Sequence, residues 1–297
     1  MELRDIEIFL VLAEELHFGR TAQRLHVTPS RVSQAIKKQE RRIGALLFER
    51  DNRNVALTAI GRRLAEDLRP FYQGLHQSIE RARLAAQSTT EVLRLGMVSA
   101  NLADYDPIID AFTARRPQCE VRVRHVDFSD PFGPLRSGDV DVHILWLPVT
   151  EPDLTVGPVV FTEPVALAAS STHRLADRES IDLEDLADEI LMGGARPDYW
   201  REAIVPARTP SGRLLQIGPI VNNFQEMIPI LQSGEAVSPV AAQGPRVMPL
   251  PGVTYIPIRN APPLRWALIW RTAAENDTIR AFVRTAQDTG PIQLPGR

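Results

Sequence analysis

Cysteine occurs once in the 297 residues, at Cys119. A single thiol cannot close an internal disulfide, which suits a reducing compartment, and its place just after Pro117 reads as a strand edge rather than a redox centre. No apolar run approaches the roughly 18 to 20 residues that a membrane span needs, so no membrane partner is expected. Glu2 and Asp5 stand where an export signal would put basic and then apolar residues, so the chain is expected in the cytoplasm. The histidines, His17, His26, His76, His125, His143 and His173, lack close metal-like pairs. Gly193-Gly194 is an isolated pair, not a phosphate loop. Ser33, His26 and Glu40 make no triad, and Asp182, Glu184, Asp185, Asp188 and Glu189 read as a solvated helix face. Without a nucleophile–base pair, no catalytic residue is assigned and an enzyme is not expected. No metal is expected, and no cofactor other than a small-molecule effector.

The net charge of −3 conceals an uneven distribution. From His17 to Arg63 there are 11 Lys or Arg against 3 Asp or Glu, while from Glu91 onward there are 19 against 26. Such an asymmetry points to nucleic acid at the front of the chain. There, Thr28 can cap a helix, Pro29 suits its first position and Gly44 its end. Val32, Ile36 and Ile43 share one face, and Ser30, Gln34, Lys37 and Arg41 fall opposite, flanked by Ser33, Arg31 and Lys38. The short run Arg20–Leu25 precedes it, with Ala22 small enough for a close crossing. This is a helix-turn-helix pattern. Leu3 to Leu16 is an amphipathic first helix, and Leu46 and Phe48 read as core. Two extended pieces around Asp51-Asn52-Arg53-Asn54 form a wing presenting Arg50 and Arg53. Thr58 caps a long helix to about Gln87. Its seam, Leu64, Leu68, Phe71, Leu75, Ile79 and Ala82, is near-heptad and needs a partner chain, and a bend is expected at Pro70.

Glu15-Leu16-His17-Phe18-Gly19-Arg20-Thr21-Ala22-Gln23-Arg24-Leu25, Val32-Ser33, Leu46 to Arg50 and Leu57 to Gly61 resemble the N-terminal signature of LysR-type transcriptional regulators, and the whole length is similar to that family. The family often carries a base-contacting Gln where Pro29 stands, so that contact is lost here or moved to Ser30 or Arg31. Candidate DNA-binding residues are therefore Thr28, Ser30, Arg31, Ser33, Gln34, Lys37, Lys38, Arg41, Arg50 and Arg53.

Beyond a polar hinge at Ser88-Thr89-Thr90 the pattern turns to alternating strands and helices, which implies parallel sheets covered on both faces. The resemblance implies an α/β architecture: a winged helix-turn-helix over residues 1–58, a linker helix and hinge over 59–90, and an effector domain of type II periplasmic-binding-protein form over 91–297. Its lobe I is expected over about 91–161 and 268–297, and its lobe II over about 162–267. Ligands in such sheets sit beyond strand ends, which singles out Ser99, Asn101, Trp146, Pro148, Asn222, Asn223 and Phe224. The competing readings are helix caps for Ser99 and Asn222, and plain core for Trp146 and Phe224. Tyr199-Trp200 suits either the cleft or the surface. The expected function is a homodimeric or homotetrameric regulator of transcription. It binds double-stranded DNA, responds to a small-molecule effector and takes RNA polymerase as a further partner. The alternative is a solute-binding module that sequesters a metabolite without touching DNA.

Overall fold

The computed structural model describes residues 2–50, 55–87, 91–98, 102–247 and 249–292, and the chain divides into two compact units, Met1–Leu84 and Ala85–Arg297. In the first, α1 (Leu3–Glu15) ends because Leu16 turns left-handed at φ 48°, which takes Leu16 off the apolar stripe and leaves it exposed. α2 (Phe18–Arg24) starts before the expected Arg20, since His17 Nδ1 accepts the Arg20 N–H at 3.2 Å and caps it. α3 (Pro29–Ile43) has the anticipated ends: Thr28 Oγ1 accepts from Arg31 N at 3.2 Å, and Gly44 closes it at φ 79°. Phe9 and Leu12 of α1, Ala22 of α2, and Val32 and Ile36 of α3 form the core. Ile43 and Leu46, both expected inside, are exposed at 39% and 64%. The last turn of α3 overruns the small core, and Leu47 takes the buried place beside Phe48.

β1 (Phe48–Arg50) and β2 (Val55–Leu57) pair antiparallel as the wing, Phe48 opposite Leu57. α4 (Ala59–Gln87) is capped by Thr58, whose Oγ1 accepts from Gly61 N at 2.9 Å, and it runs through position 70 as one helix. A Cβ on Gly61 would stand 2.1 Å from the Leu47 carbonyl oxygen, so only glycine lets α4 leave the wing at this approach. Leu64 and Leu68 pack on the core, whereas Phe71, Leu75 and Ile79 are exposed at 77%, 41% and 56%. The expected hinge at 88–90 lies outside the described residues.

The second unit opens with β3 (Glu91–Met97), a 3-10 turn at Leu102–Tyr105, α5 (Asp106–Arg115), β4 (Cys119–His125), α6 (Gly133–Ser137), β5 (Val142–Trp146) and β6 (Leu154–Glu163). It continues through β7 (Val165–Ser170), a 3-10 turn at Leu183–Asp188, β8 (Ile190–Gly193), α7 (Asp198–Glu202), β9 (Gln216–Ile220), α8 (Phe224–Ser233) and β10 (Ser238–Ala241). α9 (Gly244–Val247), β11 (Val253–Pro257), β12 (Leu264–Arg271) and α10 (Asp277–Thr289) complete it. One sheet has the order β4-β3-β5-β12-β6, and a second has the order β10-β7-β11, with β8 and β9 paired nearby.

The expectation of parallel sheets holds only in part. β3 runs parallel to β4 and β5, but β12 is antiparallel to β5 and to β6, and β7 is antiparallel to both its neighbours. Parallel neighbours need a covering crossover, and the segments 147–153 and 258–263 that lead into β6 and β12 contain no helix. β6 passes into β7 across Pro164, carrying the chain from one sheet to the other. The return comes earlier than the expected Ala267–Leu268, because β12 already pairs at Leu264, opposite Glu163. Pro262-Pro263 marks that return, since proline cannot donate to a ladder.

His143 in β5 is fully buried against Gly96. Its Nδ1 lies 3.0 Å from the Pro131 carbonyl, which can only accept, so Nδ1 carries the proton; the bare Nε2 has no hydrogen-bond partner among the described residues. Burial pushes its pKa down to about 3. The folded chain therefore keeps His143 neutral, while the unfolded chain protonates it below about pH 6.5, and stability is lost as pH falls from there toward 3. Urea unfolding of the wild type is expected to lose about 1.4 kcal/mol per pH unit more below pH 6 than that of His143→Leu. Parallel pH profiles for the two would remove this role from His143.

Candidate functional site

α3 presents two kinds of residue. Ser30, Arg31, Gln34, Lys37, Lys38 and Arg41 are exposed and Ser33 is half-buried. Gln34 and Lys37 have no side-chain hydrogen bond or ion pair among the described residues, whereas Arg41 Nε donates to the Lys37 carbonyl at 3.3 Å. Lys38, though exposed, reaches back to α1: its Nζ lies 3.1 Å from the buried carboxylate of Asp5 and 3.5 Å from Glu2. Arg31 stands 3.9 Å from the same Asp5. Lys38, a DNA-binding candidate, also ties α3 to α1 in the folded unit. Burial works to raise the Asp5 pKa, but the Lys38 hydrogen bond and charge outweigh it and hold it below the usual carboxylate value. Thr28 acts as the cap already described. Arg53, with Asn52 and Asn54, lies outside the described residues, as does the side chain of Arg50.

Glu40, the first acid on α3, is also turned inward. It is buried, and its Oε1 accepts the N–H groups of Leu47 at 3.1 Å and Phe48 at 3.4 Å, fixing the start of the wing to the helix.

In the second unit, a cavity of about 180 Å³ opens where the two sheets meet. Trp146 and Phe224, both singled out from the sequence, line it; Pro148, Asn222 and Asn223 do not. Asn223 Oδ1 caps α8 by accepting from Glu226 N at 3.1 Å, and Asn222 donates from N and Nδ2 to the Glu226 carboxylate. The polar groups at that helix start are spent on one another, which is why neither reaches the cavity. Ser99 and Asn101 lie outside the described residues.

Trp200, which the sequence left open, is fully buried and stacks on Trp146 with centroids 3.6 Å apart and planes 9° from parallel. Each indole N–H donates to the other residue's carbonyl, at 3.0 and 2.8 Å. One tryptophan ends β5 and the other sits in α7, so the pair bridges the lobes. Tyr199 lies beside it, its hydroxyl donating to Glu151 at 3.0 Å. Glu163, Arg201, Gln243 and Trp266 also line the cavity, and sequence reasoning passed over all four. Glu163 is only 2% exposed, and burial pushes its pKa up to about 7. Its Oε2 accepts from Gln243 N at 3.1 Å. An acid at the end of a strand just before Pro164 was the available signal. Among the described residues, no cluster of three or more His, Cys, Asp or Glu is arranged for a metal, and no helix is long and apolar enough to cross a membrane.

A winged helix-turn-helix ahead of a two-lobed α/β unit with an apolar cavity defines a ligand-responsive DNA-binding regulator. Residues 3–62 match the model of the bacterial regulatory helix-turn-helix proteins of the LysR family, and residues 86–291 match the LysR substrate binding domain. The HTH-type transcriptional regulator AlsR of Bacillus subtilis is 30% identical over 291 residues, covering 95% of this chain and 94% of that protein. ShiR of Corynebacterium glutamicum is 26% identical, covering 97% and 99%. The crystal structure of CbnR, a LysR family transcriptional regulator, shares the fold with a TM-score of 0.66 at 22% identity, covering 97% and 99%. Full-length CbnR complexed with its target DNA gives the same TM-score and identity. The chain belongs to the LysR family of DNA-binding transcriptional regulators. That membership disfavours the reading as a sequestering module without a DNA role.

Removing the Glu40 acceptor leaves two buried N–H groups unpaired. Glu40→Ala is expected to lower the stability of the DNA-binding unit by about 1–3 kcal/mol, read by chemical denaturation, with Glu40→Gln milder. Identical midpoints for Glu40→Ala and wild type would show that the wing is held by other contacts.

Proposed function

We propose that the chain acts as a homodimer or homotetramer in the cytoplasm, reads an inverted-repeat DNA site with paired α3 helices, and changes how it holds or bends that DNA when a small molecule enters the cavity. RNA polymerase is the further partner in this reading. The effector is the only small molecule it needs, and no catalysis is involved. The observation that carries the proposal is the division of α3 into an inner side tied to α1 and the wing and an outer side where Gln34 and Lys37 stand free. An amide at a helix position facing the major groove can pair with adenine, and an ammonium neutralises phosphate. The exposed Phe71, Leu75 and Ile79 of α4 support self-association, since burying each large apolar side chain contributes about 1.5–3 kcal/mol.

Three measurements on the full-length protein test this. Gln34→Ala is expected to weaken binding to the selected genomic site by about 1–3 kcal/mol while leaving scrambled duplex unchanged. Lys37→Ala is expected to weaken binding to both and to flatten the logarithmic salt slope by about 0.9. Equal losses on both duplexes for Gln34→Ala would take base reading away from that residue. Phe71→Glu is expected to shift the protein toward monomer in analytical ultracentrifugation and to weaken binding to paired half-sites at least tenfold. A Phe71→Glu variant that stays oligomeric would move the interface elsewhere.

A further inference from the structure

We infer that the cavity takes a small apolar molecule carrying a protonated amine, with Glu163 as its counter-charge, and rejects carboxylates of the same shape; this rests on reading the cavity as the effector site. Its volume of about 180 Å³ limits the occupant. An engineered cavity of about 150 Å³ holds benzene, so this one suits a single ring carrying a short polar arm. Phe128, Phe224, Trp266, Met192 and Met227 make the wall predominantly apolar.

The charged side chains decide what the polar end must be. Arg201 lines the cavity and its guanidinium is paired with the exposed Asp198 at 3.4 Å and Glu202 at 3.6 Å, while its buried Nε has no hydrogen-bond partner among the described residues. His125 is half-exposed and lies 3.5 Å from Asp127. Arg246 of α9 and Asp104 of the 3-10 turn, the charged groups closest in influence to Glu163, are bonded to each other. Glu163 differs from these charged groups. It is nine-tenths buried and more, its Oε2 accepts a backbone N–H from Gln243, and it has no ion pair among the described residues. A carboxylate placed so is costly to ionise without a cation, which its pKa of about 7 expresses. An ammonium entering the cavity supplies that cation. A carboxylate ligand meets like charge and must bring a proton with it.

Three shape-matched probes test this by calorimetry on the purified full-length protein: 2-phenylethylamine, 2-phenylethanol and phenylacetate. At about pH 8 the amine is expected to bind at least tenfold tighter than phenylacetate. Its affinity is expected to fall about tenfold per pH unit below 7, as Glu163 takes up its proton, while that of 2-phenylethanol stays flat. In Glu163→Gln, shown to be folded by its thermal midpoint, the preference for the amine and its pH dependence both disappear. If that variant does not fold, the wild-type pH profile alone decides. Phenylacetate binding as tightly as the amine, an amine affinity independent of pH, or no probe binding at all overturns the inference. DNA binding by the same wild-type sample is followed separately. Its loss alongside an intact amine signature would refute the regulatory reading and leave the ligand class standing.

Discussion

A buried residue near the start of α1, Asp5, helps decide which side of α3 faces outward. Asp5 is 1% exposed; it holds Lys38 by its side chain, while its carbonyl accepts from Gln39 Nε2 at 2.7 Å. Successive helical residues are turned by about 100°, so fixing position 39 against α1 places 30, 34, 37 and 41 on the far side, with Lys38 on the flank between. Glu40 repeats the device toward the wing. The same polar residues that give α3 its strongly hydrophilic composition are therefore divided by geometry: some lock the helix and the rest are presented. In the Asp5–Lys38 pair only the carboxylate is buried, so the loss on removing Lys38 is that of a buried charge left without its exposed partner. Lys38 is in this sense a structural residue even though it lies in the most basic part of the chain.

The effector unit depends on a different constraint. Its two sheets are joined by extended chain, at Pro164 between β6 and β7 and at Pro262-Pro263 before β12, and no helix stiffens either passage. Lobe position therefore rests on contacts across the cleft: the Trp146–Trp200 pair, the Arg246–Asp104 ion pair and the Gln243 N–H on Glu163. Stacked indoles that also exchange hydrogen bonds fix both distance and rotation, which neither interaction does alone. Because Trp146 and Glu163 also line the cavity, an occupant touches the contacts that hold the lobes together. Hinge motion in such folds is absorbed by a few residues at element ends, which is where the two proline passages lie.

Much of this was legible in the sequence where a local rule governs. Thr28, Pro29 and Gly44 bound α3, Thr58 caps α4, and Gly138 and Gly234 close α6 and α8 in the left-handed region as glycines do. Most of what the sequence misplaced depended on partners distant in sequence. Apolar periodicity placed Ile43 and Leu46 inside, but the core they were assigned to ends a turn earlier. Alternation of strands and helices implied parallel sheets, and nothing local to β12 reveals that it runs against its neighbours. Asn222 and Asn223 looked available to a ligand until Glu226, four and three residues on, was found to consume them. Arg201 and Glu163 meet the cavity only because α7 and β6 converge there, a fact of topology rather than of spacing.

Linkage sets the size of effect a ligand can have. It shifts the DNA-bound arrangement only by the difference between its affinities for the two lobe arrangements, and typical couplings amount to about 1–3 kcal/mol. The displacement of the Glu163 pKa from its usual 4.5 to about 7 corresponds to about 3 kcal/mol of unfavourable charge burial. A single buried acid at the lobe junction thus holds a free-energy difference as large as the whole coupling requires. Any occupant that neutralises this carboxylate in one lobe arrangement and leaves it to water in the other acquires that difference directly. On the proposed reading of the cavity, the apolar wall serves mainly to size the molecule, and the sensitivity of the switch lies in one charge and in whether it has a partner.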